Sequence, residues 1–215
     1  MAKQFRPIGG VPILLRAVRP FLAHPAVGTV VAVLPPEIAA TPPEWLAELA
    51  GERLLLAAGS ESRTGSVAAG LAVLPSRYSV VLVHDAVRPF PSAAVIDAVI
   101  AGARLRGAAI AALPVFDTLK EAEPGGALPG EGELVARTIA RSALWRAQTP
   151  QGFSRDLLAR ALARAADRPV PPTDEAQLVE EMGEPVLLIR DSIRNFKITT
   201  EDEFQLAEQL AALAP

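Results

Sequence analysis

The chain has 215 residues, half of them apolar, and a formal net charge of −3, which suits a single domain, 1–215, with a sizeable core and argues against disorder. That charge supplies no overall field to attract nucleic acid or an anionic membrane, and no apolar run reaches the length of a membrane span. With no cysteine, disulfides and thiolate metal sites are excluded.

In chain order, the opening MAKQFRPIGGVP is punctuated by Pro and Gly and lacks the apolar core of a signal peptide, so a cytoplasmic location is expected. Residues 12–22 carry apolar side chains at helical spacing, and 29–34 (TVVAVL) form a compact β-branched run, as expected of a strand buried on both faces. The spacing predicts a helix over 65–74, with Ser66 as its N-cap, and a second buried strand over 80–83 (VVLV). A helix over 93–105, a strand over 108–115, a helix over 155–166 and a strand over 186–189 follow. Thr173 or Asp174 reads as a further helix start. The last helix is predicted over 201–213, capped by Thr200, with Glu201 and Asp202 complementing its dipole. Strand and helix in alternation imply an α/β fold, a mostly parallel sheet with helices on both faces. One stretch breaks the rhythm: 120–133 (KEAEPGGALPGEGE) is too rich in Gly and Pro for an element interior. Its flanks, 117–119 and 134–139, can pair as antiparallel strands, so 117–142 is either a projecting β-hairpin arm or a surface loop.

Four constellations offer chemistry. HDAVRPF (84–90) directly follows VVLV, and the carboxyl end of such a strand opens onto a ligand crevice. Asp85 there suits Mg²⁺ or a ribose hydroxyl, and Arg88 suits a phosphate, although a surface ion pair would look the same. His84 reads as a packed histidine. In GSESRTGSV (59–67), Gly59 permits close backbone approach, and a helix start offers free N–H groups to an anion. LWRAQTPQGF (144–153) reads as a rigid turn with Trp145 and Phe153 in the core. In NFKITT (195–200), alternation sets Lys197 on the face opposite Phe196 and Ile198.

Taken together and in order, KQF, SESRTGSV, HDAVRPF, FDTLK, LWRAQTPQGF, TDEA and NFKITT resemble the 2-C-methyl-D-erythritol 4-phosphate cytidylyltransferases, from Lys3 to the final helix. The resemblance implies a Rossmann-like fold of the nucleotide-diphospho-sugar transferase type, acting on CTP and methylerythritol phosphate with Mg²⁺ on the triphosphate. By position, it implies that Lys3 stabilises charge on the α-phosphate and that Lys197 positions the attacking phosphate. Gly59, Ser60, Glu61 and Ser66 correspond to the nucleotide loop, with Ser60 in place of a usual glycine and Glu61 in place of other polar residues. Asp85 corresponds to the aspartate at the nucleotide, metal and acceptor, and Arg88 to its neighbouring arginine. Thr149 corresponds to the acceptor end of the TPQ turn. Thr118 and the catalytic Arg141 correspond to arm residues that reach the acceptor bound by the partner in a homodimer.

The resemblance also implies an apolar strand and a Gly-rich phosphate loop ahead of the lysine motif. This sequence begins at that motif, with Ala2 where the family has proline. Without the strand, unpaired backbone and exposed apolar surface are expected, together with poor solubility or weak activity. Two competing readings are ribitol-5-phosphate cytidylyltransferase and a truncated, non-catalytic relative.

Overall fold

The computed structural model describes residues 3–128, 132–165 and 170–213. A short 3₁₀ turn (Lys3–Phe5) leads into two two-residue strands, β1 (Pro7–Ile8) and β2 (Val11–Pro12), which pair antiparallel ahead of α1 (Ile13–Ala23). There follow β3 (Val30–Leu34), α2 (Pro36–Ala40), α3 (Glu44–Leu49), β4 (Leu54–Ala58), α4 (Arg63–Val73), β5 (Val80–Val83) and α5 (Ala93–Arg106). The second half comprises β6 (Ala108–Pro114), β7 (Leu119–Leu128), β8 (Gly132–Ile139), β9 (Trp145–Ser154), α6 (Arg155–Ala165), α7 (Glu175–Glu180), β10 (Leu187–Arg190) and α8 (Glu201–Leu213). Apart from 144–153 and the arm, predicted and observed elements agree to within about two residues, with position 166 outside the described residues. In the arm, β7 runs on from Leu119 to Leu128 through Pro124, Gly125 and Gly126, so the expectation that Gly and Pro keep 120–133 out of an element is corrected. No helix among the described residues is long and apolar enough to cross a membrane.

The main sheet runs β10-β6-β9-β5, and β3 pairs in parallel with β4 in a separate two-stranded sheet. β6 and β10 are parallel, while β9 runs antiparallel to both β5 and β6. The reading of 144–153 as a turn is therefore corrected: Trp145–Ser154 is a ten-residue strand, with a cis peptide at Thr149–Pro150. Its polar residues Gln148, Thr149 and Gln151 are buried against partners from outside the sheet: Asn195, the His84–Asp85 turn and Asp174, in that order.

Strand alternation gives the sheet two buried faces. Val81 and Val83 of β5 pack with Phe153 and the α6 residues Leu157 and Leu158, and the next residue, Leu82, packs with Ile96 and Ile100 of α5. β6 is largely alanine for a steric reason. A Cβ on Gly102 of α5 would sit 2.7 Å from the Ala109 Cβ, so the helix rides too close to the sheet for larger side chains.

The two sheets do not join. Among the described residues, no strand pairs with the second edge of β3 or of β5. Between those edges lies a cavity of about 540 Å³, lined by Val30–Val33 and Val80–Val83 and closed by α1 and α4. This seam leaves β3 and β5 half-buried, where the sequence predicts burial on both faces.

The 117–142 region resolves in favour of the hairpin: β7 and β8 form their own antiparallel two-stranded sheet, and Leu134 and Val135 are exposed on it. Residues 129–131 of the predicted Gly/Pro-rich stretch lie outside the described residues. At the other end of the chain, α8 packs Ala207 and Ala211 against Ile8 of β1 and against Ile13 and Ile198. The α8 start is a reciprocal capping box. Thr200 Oγ1 accepts the Glu203 N–H at 3.2 Å, and the Glu203 carboxylate accepts the N–H groups of Thr199 and Thr200. Hydrogen bonds from Thr199, the side chain's first, hold the Glu203 carboxyl down at about 2.

Candidate active site

β5 delivers Val83 into the sheet and releases the chain into a turn carrying His84, Asp85 and Arg88. β9 lies alongside, Val83 opposite Gln151, so Thr149 reaches the same turn. Thr149 Oγ1 accepts the Asp85 N–H at 3.0 Å and is hydrogen-bonded to His84 Nδ1 at 3.0 Å. The other histidine nitrogen, Nε2, lies 3.0 Å from the Arg88 carbonyl. His84 also packs against Phe21, with ring centroids 4.8 Å apart. This desolvation pushes the imidazole down to about 4, despite the opposing pull of the Arg88 carbonyl. His84 is thus a neutral brace for the Asp85–Thr149 geometry.

A second segment, 195–198, is clasped to this turn by Asn195, which is 1% exposed. Its amide donates to the Thr149 carbonyl at 2.7 Å and to Asp191 at 2.6 Å. Its own carbonyl accepts from Arg88 and Gln148. The Ile198 N–H donates to the Val87 carbonyl, and Ile198 is buried while Lys197 is exposed. The predicted alternation therefore holds, although no regular strand forms there.

The result is a carboxylate ringed by cations. Asp85 Oδ2 lies 3.3 Å from Lys197 Nζ and 3.4 Å from Arg88 Nε, and Oδ1 lies 3.5 Å from an Arg63 nitrogen. Burial works to raise the Asp85 carboxyl, but Lys197, Arg63 and Arg88 together bring it below its ordinary value. Burial lowers the Arg88 guanidinium, against the pull of Asp85. Lys3, in the N-terminal turn, is held on the neighbouring segment, donating to the Thr199 carbonyl at 2.9 Å.

The loop after β4 forms the opposite wall. The Gly59 N–H donates to the Leu34 carbonyl at 2.7 Å, and a Cβ on Gly59 would meet Ser66 Oγ at 2.8 Å, so the close approach is real. The helix cap is corrected: Ser62, not Ser66, is the N-cap of α4, accepting the Gly65 N–H at 2.9 Å. Ser66 sits one turn inside and pins the loop, accepting the Ser60 N–H at 3.0 Å. Glu61 is exposed on this loop.

Asp85, Arg88, Thr149 and Lys197 are therefore brought together, with Lys3 held at Thr199, two residues beyond Lys197, and the Gly59–Ser60–Glu61–Ser66 loop beside them through Arg63. Thr118 and Arg141 stand apart, both exposed at the base of the arm, flanking the Leu119–Ile139 pair. Arg63 and Glu175 escaped the sequence reading. Arg63 lay inside the SESRTGSV motif, but Glu175 read as a helix-start acid. In the structure it is fully buried and accepts from Arg63 through both oxygens at 2.6 Å. The adjacent Asp174 is the N-cap of α7.

Several known proteins resemble this chain in sequence and fold. The family model described as 2-C-methyl-D-erythritol 4-phosphate cytidylyltransferase matches residues 1–212. A bifunctional IspD/IspF enzyme of Anaeromyxobacter dehalogenans is 43% identical over 98% of this chain and 53% of its own length. The 2-C-methyl-D-erythritol 4-phosphate cytidylyltransferase of Salinibacter ruber is 39% identical over 97% of this chain and 84% of its own. The chain thus spans about half the length of the bifunctional relative and most of the single-function one. The crystal structure of the Thermus thermophilus cytidylyltransferase superposes with a TM-score of 0.82 at 36% identity, covering 98% of this chain and 93% of that one. On the strength of these matches, the chain belongs to the 2-C-methyl-D-erythritol 4-phosphate cytidylyltransferase family of nucleotidyltransferases.

Proposed function

We propose that this chain transfers the cytidylyl group of CTP to 2-C-methyl-D-erythritol 4-phosphate, giving CDP-methylerythritol and pyrophosphate in non-mevalonate isoprenoid precursor synthesis. The observation that carries the proposal is the Asp85 carboxylate at the head of β5, with Lys197, Arg88 and Arg63 at 3.3–3.5 Å and Lys3 on the adjoining segment. A phosphate oxygen of the acceptor forms a bond to the α-phosphorus of CTP while the α–β anhydride bond breaks and pyrophosphate leaves. The attacking group is already an anion, so no general base is required. The barrier lies in bringing anions together in line.

Lys3 stabilises the charge that builds on the α-phosphate, while Lys197 and Arg88 receive the acceptor phosphate beside Thr149. The loop of Gly59, Ser60, Glu61 and Ser66 holds the nucleotide. No cluster of three or more His, Cys, Asp or Glu suited to a metal occurs among the described residues. The protein donor set is therefore Asp85 alone, which fits Mg²⁺, an ion held by one or two carboxylates plus substrate phosphates. When bound, Mg²⁺ neutralises triphosphate charge.

Thr118 and Arg141, exposed at the base of the arm, serve the acceptor site of a second copy in a homodimer built through that arm. The chain works as one catalytic domain in the cytoplasm. The test is CTP-dependent pyrophosphate release with each of two acceptors. Turnover is expected with methylerythritol phosphate and none with ribitol 5-phosphate. Release with ribitol 5-phosphate alone, or CTP binding without release, overturns the reading.

A further inference from the structure

Arg63 is the first residue of α4, where a positive charge opposes the helix dipole. Local structure gives no reason for an arginine there. Glu175 is equally unexplained by its own helix, because Asp174 already caps α7 by accepting the Gln177 N–H at 2.9 Å. The α7 start is also fixed to β9 by Gln151, which donates to Asp174 and accepts from the Ala176 N–H. Burying a carboxylate is costly unless it is paired and hydrogen-bonded. Each of these two residues supplies what the other lacks.

Their positions give the pair a further consequence. α4 packs on β3 and β4, on one side of the seam, and its later turns, through Val67 and Leu71, also meet α6 on the other. Its first turn is tied across by Arg63 to α7, which is anchored to β9. Arg63 gives one guanidinium nitrogen to both Glu175 oxygens at 2.6 Å and turns another towards Asp85 Oδ1 at 3.5 Å. We propose that Glu175 is a positioning residue: by fixing Arg63, it docks the 59–66 loop against the Asp85 end of β5 and thereby sets the binding of CTP rather than of the polyol phosphate. This inference rests on the proposed function and assigns a role to two residues outside its reacting set.

The test compares wild type with Glu175→Gln, which keeps shape and a hydrogen-bond acceptor but removes the charge. The KM for CTP is expected to rise about tenfold, the weight of one charge-assisted hydrogen bond. The KM for the polyol phosphate should stay within about twofold, because its contacts are untouched. Native-state amide exchange of residues 60–66 is expected to speed up about tenfold, with that of β6 unchanged. An unchanged KM for CTP, unchanged loop exchange, or faster exchange spread evenly over the chain overturns the proposal, the last because it marks a merely structural pair. Should Glu175→Gln fail to fold, Arg63→Lys is the second variant. Its single ammonium group cannot serve both carboxylates, so the same CTP-selective rise is expected, and a wild-type KM for CTP overturns the proposal. If wild type itself releases no pyrophosphate, the proposed reaction fails, and the exchange comparison still decides the role of Glu175.

Discussion

β6 and the two strands bordering the seam are built from similar apolar sequence, yet they are buried very differently. Six of the seven β6 residues are buried, against two of five in β3 and one of four in β5. The difference lies in the edges. β6 has β10 and β9 as neighbours, whereas β3 and β5 each have one neighbour and a cavity. A Val-rich run reports that a strand can be buried; whether it is depends on partners far away in the chain. The division also sorts the chemistry, since Thr149 lies on the continuous sheet, Asp85 on the turn at its edge and Lys197 on the segment clasped to that turn, while the nucleotide loop belongs to the β3–β4 side.

The largest expected effect tests that sorting. Lys197→Ala removes a cation that touches Asp85, and turnover in the pyrophosphate-release assay should fall about 10²–10³-fold, as for other single charge-stabilising groups. A rate within about threefold of wild type would remove the electrostatic role from this side of the seam. The second contrast is one of packing. Ile110→Ala in β6 should cost about 2–5 kcal/mol in urea unfolding. Val31→Ala on the seam should cost less than about 1 kcal/mol, because its side chain is already half-buried beside a cavity. Equal losses would mean that the two regions are packed alike.

His84 lies at the mouth of the seam. Its folded pKa is about 4, below the ordinary 6.5, so the folded state favours the neutral ring and the unfolded chain takes up the proton first. The contribution is full above about pH 6.5 and declines towards pH 4, by about 2–3 kcal/mol across that interval. Urea midpoints measured across the same range should show this slope in wild type and lose that part of it in His84→Asn. A helix cap outside the strands compared serves as a control. Thr200→Ala opens the α8 capping box and should lower stability by about 1 kcal/mol in the same urea titration. It should leave the Ile110–Val31 difference unchanged.

Much of the architecture could be read from periodicity: the helix over 201–213 and the strand over 80–83 coincide with α8 and β5. β9 was hidden because its sequence breaks every local rule for a strand. Gln148, Thr149, Pro150, Gln151 and Gly152 look like a turn; β5 and β6 pair with Gln151 and Gly152, β6 pairs again with Trp145, Arg146 and Ala147, and the register shifts across the three residues between. The site was legible where one residue type carries the chemistry, as with Asp85, Arg88 and Lys197. It was illegible where function depends on burial. No local pattern distinguishes the fully buried Glu175 from the exposed Glu180 or the half-buried Glu184, because its partner stands 112 positions away.

The lysine at the start of the chain is held in place by the end of it. Lys3 rests on the Thr199 carbonyl, Arg6 pairs with Glu201 through two hydrogen bonds, and Ile8 is sealed beneath Ala207 and Ala211. Trimming the C-terminus into α8, or fusing a bulky tag that pries that helix away, would therefore disarm a residue some two hundred positions upstream. Engineered versions should carry their modifications elsewhere.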